Sequence, residues 1–285
     1  MAVTITIANE KGGVGKTTTA VNLAAGLAMR LADREGSASR VLLVDMDPQG
    51  HALLAVAPDH QKNVPTSRLA SLLVETPPPS VQRMIQRSEH LANLSYLPSD
   101  RNSMIHASHE LPTLMANETR LARALAPIQD EFAYIIIDTP PNTGDLLVNA
   151  LVSADYVLIP VETSYLGVSG LIELERTIDQ VRMHFKPQIQ IFGYLPTLVE
   201  EQRIEVQEIL SEMTRRYGKR LLKPIHKSSD LAYAHSSHMD VFTYRPPRQR
   251  TTTQIASSSR PTQEYADLVN NVLLNTQPST GRKPA

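Results

Sequence analysis

The sequence predicts an α/β fold, a doubly wound, mostly parallel twisted sheet flanked by helices. Three observations predict it. Apolar runs of five or six residues recur without polar alternation, which marks strands covered on both faces. Helix-length stretches separate those runs. The first run leads straight into a glycine-rich segment and then an Ala/Leu-rich stretch, the strand–loop–helix order of a phosphate-binding unit.

Taken in order, residues 3–8 are mostly β-branched and read as the first strand, and residues 18–31 as the helix after the glycine loop. Residues 40–45, 94–98, 134–138, 156–161 and 189–194 read as further buried strands. Helices are expected over 117–132, 167–185 and 200–217, with a last one over about 262–275. Residues 51–90 are less regular, and Pro77-Pro78-Pro79 breaks them into short helices joined by a loop. Residues 276–285 are rich in Pro, Ser, Thr and Gly and are expected to be a disordered tail after a single domain spanning 1–275.

Composition narrows the function classes. The 285 residues are 41% hydrophobic, enough for a substantial core, and a net charge of −1 excludes a globally basic nucleic-acid binder but not a local basic patch. With no cysteine there are no disulfides, thiolate zinc sites or iron–sulfur clusters. The first residues, Met-Ala-Val-Thr, lack the basic and apolar regions of a signal peptide, no window approaches 18 uninterrupted apolar residues, and no solenoid-length repeat is present. The expectation is a soluble cytoplasmic protein.

The richest stretch is Lys11-Gly12-Gly13-Val14-Gly15-Lys16-Thr17-Thr18. The pattern G-x-x-x-x-G-K-[ST] would want glycine at position 10, where Glu10 stands, and a second lysine, Lys11, opens the loop. The glycines let backbone N–H groups turn inward toward phosphate oxygens, and the following helix aims its positive end at the same anion. Lys16 adds a full charge for the β- and γ-phosphates, and the Thr17 hydroxyl suits Mg²⁺. Two strand ends carry acids: Asp45 and Asp47 in Asp45-Met46-Asp47-Pro48-Gln49-Gly50, and Asp138 in Asp138-Thr139-Pro140-Pro141-Asn142. Open α/β sheets bind ligands at these carboxyl ends. A lone strand-end aspartate is ordinarily a cap or turn residue. Two such ends beside a phosphate loop point instead to Mg²⁺ and to an attacking water oriented by Asp47.

The lysine-first loop, V-D-M-D-P-Q-G and I-I-I-D-T-P-P together resemble the ParA/MinD branch of P-loop ATPases, ParA-type partition proteins most of all. Ala154–Val161 followed by Tyr165 and Gly170-Leu171, and Tyr96-Leu97-Pro98-Ser99, agree, and the likeness runs over about residues 3–245. The resemblance implies ATP and Mg²⁺ as cofactors, with residues 12–18 around the phosphates. It makes Lys16 the phosphate lysine, Thr17 and Asp138 metal-binding, Asp45 a second acid near the metal, and Asp47 the carboxylate that positions water. Lys11 matches the signature lysine that crosses to the partner's phosphates in an ATP-dependent homodimer.

ParA relatives bind DNA without sequence preference, and residues 213–250 carry nine cations against two anions. Taken alone, such a cluster is as often plain surface as a binding face. With the resemblance, Arg215, Arg216, Lys219, Arg220, Lys227, Arg245, Arg248 and Arg250 are candidate DNA contacts, and so is Arg203, which lies where several ParA proteins place a contacting arginine. The family's Ile-Pro-Arg element reads Pro224-Ile225-His226-Lys227 here, and Glu10 stands where a glutamine is common. No helix-turn-helix extension precedes the first strand, as in the short ParA type. His226, His235 and His238 read as surface or packing histidines.

The expected function is a cytoplasmic, nucleoid-associated positioning ATPase, slow without a ParB-like stimulating partner. A MinD-like membrane cycle would need a basic amphipathic helix at the C-terminus, and residues 262–275 hold Glu264 and Asp267 but no Lys or Arg. Metabolic relatives of the branch need cysteines. The alternatives are that MinD-like membrane-cycling positioning ATPase, weakened by the missing basic helix, and a nucleotide-switched regulator or scaffold with little turnover.

Overall fold

The computed structural model describes residues 1–34, 36–57, 68–165, 167, 170–244 and 259–276. Strands β1 (Val3–Ile7), β2 (Val41–Asp45), β3 (Gln86–Arg87), β4 (Leu94–Tyr96), β5 (Tyr134–Asp138), β6 (Tyr156–Glu162) and β7 (Gln190–Thr197) form one seven-stranded sheet in the order β3-β4-β2-β5-β1-β6-β7. Every pairing is parallel except β3 with β4. Helices α1 (Lys16–Arg30), α2 (His51–Val56), α3 (Leu69–Val74), α4 (Arg101–Glu110), α5 (Arg120–Leu125), α6 (Asp145–Ser153), α7 (Leu171–His184), α8 (Ile204–Tyr217), α9 (Ser229–Ser236) and α10 (Arg260–Asn275) flank it.

Successive residues of the central strands enter different cores, which explains the unbroken apolar runs. Val41, Leu43 and Ile136 pack with α1 and α10, whereas Leu42, Val44, Ile135 and Ile137 pack with α3, α4 and α5. A third cluster joins β6 to α7 and α8 through Val157, Ile159, Leu174, Ile178 and Met213.

Several expectations change. The stretch 117–132 is not one helix: α5 lies between two 3₁₀ turns, the second containing Pro127, whose missing N–H and fixed φ end the α-helix. The helix expected at 167–185 begins at Leu171, and that at 200–217 begins at Ile204. The antiparallel edge strand β3 and helices α4, α6 and α9 are additions. Thr276 is not part of a disordered tail: it is 1% exposed, and its carbonyl accepts the Tyr134 hydroxyl at 2.8 Å. Residues 277–285 lie outside the described residues, as do Arg245, Arg248 and Arg250.

One backbone approach positions the basic segment. At Gly193 a Cβ would stand 2.7 Å from Leu222 Cγ and 2.9 Å from the Arg220 carbonyl oxygen, so only glycine lets residues 220–222 lie against β7. Leu222 N–H donates to the Tyr194 carbonyl at 2.9 Å, and further along Val199 bridges His226. Residues 218–227 therefore run beside the carboxyl half of β7.

Candidate nucleotide site

β1 delivers the glycine loop at the carboxyl edge of the sheet, between β5 and β6. Gly13 and Gly15 take φ of +76° and +84°, backbone that residues with a Cβ rarely adopt. Gly15 caps α1 without any side-chain hydrogen bond, so the first-turn N–H groups of α1 have no side-chain acceptor from the cap. Two side chains outside the motif brace the loop. Asn9 Nδ2 donates to the Pro160 carbonyl at 2.7 Å while its Oδ1 accepts Lys11 N–H at 2.9 Å, and Thr197 Oγ1 donates to the Val14 carbonyl at 2.9 Å. Asn9 adjoins the motif, but nothing in the sequence marks Thr197, which arrives from β7.

Lys16 is 6% exposed, and its ammonium folds back to donate to the Lys11 carbonyl at 2.9 Å. Burial lowers its pKa, and the carboxylates of Asp138 and Asp47 partly restore it. Asp45 and Asp138 end β2 and β5 in register and are both fully buried. Burial is the main cause that raises both pKa values; Asp138 and then Asp47 raise Asp45 further, and Asp138 is pushed up to about 7, with the Thr17 hydroxyl offsetting part of the cost and the Asp47 charge adding to it.

The two acids nevertheless differ. Asp45 accepts from Asp47 N–H at 3.1 Å, Ala52 N–H at 3.0 Å and Leu53 N–H at 3.4 Å, so it ties the β2–α2 loop and the start of α2 together. Neither carboxylate oxygen of Asp138 has a partner within good hydrogen-bond geometry among the described residues, although the Thr17 hydroxyl and Thr139 N–H stand near enough to lower its pKa. A buried acid with two unpaired oxygens beside Lys16 and Thr17 suits a hard cation. Asp47 is partly exposed and accepts Gln49 N–H at 2.9 Å.

Lys11 ion-pairs with Glu162 at the end of β6, and its ammonium lies 3.4 Å from Ser164 Oγ. The basic residues are more paired than their linear count suggests. Arg215 pairs with Glu212, Arg216 with Glu175 at 3.5 Å, and Lys223 with Asp267 at 2.9 Å. Arg203 and Lys227 share Glu200, at 2.7 and 2.6 Å. Lys219 and Arg220 have no ion pair among the described residues, which leaves their charge uncompensated on the surface. His226 departs from a plain packing histidine: its ring nitrogens stand 2.6 Å from carboxylate oxygens of Glu201 and Glu264. No cluster of metal-binding side chains and no membrane-crossing helix occurs among the described residues. α10 starts at Arg260, two residues before the predicted helix, and that arginine pairs with Glu264 at 2.8 Å.

A family model described as an AAA domain matches residues 2–191. The sporulation initiation inhibitor protein Soj of Bacillus subtilis is 33% identical over 95% of this chain and 98% of its own length. The chromosome partitioning protein ParA of Myxococcus xanthus is 38% identical over 78% of this chain and 74% of its own. Among solved structures, an ATP complex of McdA from Cyanothece superposes with a TM-score of 0.77 at 22% identity, over 97% of this chain and 98% of that one, a likeness of fold. Cobyrinic acid a,c-diamide synthase from Mycobacterium smegmatis with bound ADP and magnesium gives 0.72 at 27% identity, over 95% and 93%. With a lysine-first glycine loop after β1, next to the acidic ends of β5 and β2, and similarity to Soj over 95% of its own length, the chain belongs to the ParA-type partition ATPases of the deviant Walker A, P-loop branch.

Proposed function

We propose that this protein hydrolyses ATP with Mg²⁺, dimerises on ATP, binds double-stranded DNA without sequence preference, and positions a plasmid, chromosome or protein cargo with a ParB-like stimulating partner. The observation that carries the reading is the buried, unpaired Asp138 carboxylate facing Lys16 and Thr17 at the mouth of the glycine loop. The loop N–H groups and Lys16 would hold the phosphates, and Thr17 and Asp138 would hold the cation, which when bound would supply electrostatic stabilisation of phosphate charge. Asp47, partly exposed at the rim, orients the attacking water, while Asp45 keeps the Asp47 loop in place through its backbone bonds.

Lys11 must leave Glu162 to reach a partner's phosphates, so dimerisation exchanges an internal ion pair for an intermolecular one. Phosphoryl transfer is mainly positioning and charge stabilisation, which a lysine supplied in trans provides as an arginine finger does. The DNA surface is drawn from two groups at opposite ends of α8: Arg203 and Lys227 at its start, and Arg215, Arg216, Lys219 and Arg220 at and just after its end.

The test is binding to a random-sequence duplex with ATP, ADP or no nucleotide across a salt series. Tight binding with ATP alone, weakening steeply with salt, is expected. Absence of binding in every state refutes the DNA reading and leaves a nucleotide-switched regulator or a membrane-cycling protein, which lipid vesicles would test.

A further inference from the structure

Glu200 sits in the turn between β7 and α8 and holds two of the candidate DNA cations at once. One carboxylate oxygen meets Arg203 Nε at 2.7 Å and the other meets Lys227 Nζ at 2.6 Å. The two cations come from different segments. Arg203 precedes α8, three residues after Glu200. Lys227 is brought alongside by the bridge between Val199 and His226, through Val199 N–H to the Ile225 carbonyl at 3.2 Å and Lys227 N–H to the Val199 carbonyl at 3.1 Å.

The neighbouring acids are engaged elsewhere. Glu201 accepts from His226 at 2.6 Å and from Arg260 at 3.4 Å, and Glu264 is bound by His226 and Arg260. Glu200 is thus the acid paired with Arg203 and Lys227 among the described residues. Both cations are about two-thirds exposed, 66% and 63%, against 27% for Glu200, so their outer sides reach solvent while the carboxylate lies between and beneath them. The Lys227 hydrogen bond, with Arg203 beside it, holds the Glu200 carboxyl below its ordinary pKa, so the acid stays charged at neutral pH.

We propose that Glu200 is an internal competitor for the nucleic-acid backbone: phosphate binds at this edge by displacing the Glu200 carboxylate from Arg203 and Lys227. The proposal rests on the DNA reading above for its ligand class and adds the regulation of that surface. A cation already paired adds little to the outward field and releases fewer counterions when phosphate arrives. Glu200 therefore restrains affinity and makes binding depend on contacts elsewhere, such as those a dimer adds.

The experiment compares the full-length wild type, Glu200→Gln and Glu205→Gln. Glu205 is exposed in the first turn of α8 and has no ion pair among the described residues, so its variant carries the same change in net charge without freeing a cation. Each protein is titrated with a random-sequence duplex in ATP and Mg²⁺ over a salt series, and run without nucleotide on immobilised heparin. Glu200→Gln should bind DNA roughly three- to tenfold more tightly, the range two exposed ion pairs can supply. Its log–log salt slope should steepen by about one to two, near 0.9 for each phosphate newly neutralised. It should leave heparin at higher salt than both other proteins, and adding Arg203→Ala and Lys227→Ala should erase the gain. Equal DNA affinity for Glu200→Gln and wild type, or an equal gain from Glu205→Gln, overturns the proposal while leaving the DNA reading intact. If no protein binds DNA but Glu200→Gln alone is retained longer on heparin, the competition stands and the DNA reading fails.

Discussion

Asp138→Asn tests the central claim about the site, because the same carboxylate should be a liability in the empty protein and an asset in the loaded one. Its folded-state pKa of about 7 stands about 3 above the ordinary value of 3.8. The raised value means that the folded protein holds this proton more tightly than the unfolded chain between those limits. Stability therefore falls as pH rises from about 4 to 7, and the full cost remains above 7. At about 1.36 kcal/mol per pH unit the ceiling is about 4 kcal/mol. Asparagine is close in shape to the protonated acid and never ionises, so it escapes this cost. Attraction to Lys16 already acts to lower the Asp138 value, so losing it is included. Without nucleotide, Asp138→Asn should be more stable than wild type by roughly 2–4 kcal/mol at pH 8 and by about half that at pH 5. Urea unfolding midpoints and slopes at the two pH values measure the difference. With Mg²⁺ and ATP present the order should reverse, since only the carboxylate holds the cation. A variant no more stable at pH 8, or favoured equally at both pH values, would refute the reasoning.

Lys16→Ala should lose nucleotide binding by at least about tenfold, since a buried charge-assisted contact is worth roughly 1.5–3 kcal/mol, as read by calorimetric titration with ATP and Mg²⁺. Asp47→Ala should keep ATP binding and accumulate an ATP-bound dimer, and normal turnover in a phosphate-release assay would remove the water-positioning role. Lys11→Ala should bind ATP yet remain monomeric by light scattering, and wild-type dimerisation would defeat the account of a lysine acting in trans. Gly26→Ala sets two effects against each other: its Cβ would stand 2.6 Å from Val269 Cγ2 and 2.9 Å from Phe242 Cε2. Overpacking of about 1–3 kcal/mol should outweigh the roughly 1 kcal/mol helix gain, lowering the urea midpoint without changing the slope.

The sequence made the sheet legible because every central strand is buried on both faces, so its apolar run has no polar gaps. Those runs placed β1, β2, β5 and β6 to within a residue or two. β3 escaped because two edge residues, Gln86 and Arg87, carry no pattern. α6 escaped because Asp145–Ser153 is buried nearly all round, and a short apolar run has no readable period. The glycine loop and the strand-end acids were legible because their chemistry is local in sequence. What Asp45 and Asp138 each do was not, since that depends on which backbone N–H groups fold back onto the carboxylate. The pairing of the basic segment was hidden for a related reason: Glu175, Glu200 and Asp267, which answer three of its cations, belong to other elements.

The hydrogen bond from Thr197 to the Val14 carbonyl carries a mechanical consequence. Thr197 ends β7, and Glu200 follows three residues later, beyond Leu198, whose left-handed backbone at φ +55° makes the corner. The glycine loop and the turn that pairs with Arg203 and Lys227 are thus separated by three residues of chain, with the corner at Leu198 between them. A displacement of the Val14 peptide that kept the Thr197 bond would be felt three residues on, at the corner that carries Glu200.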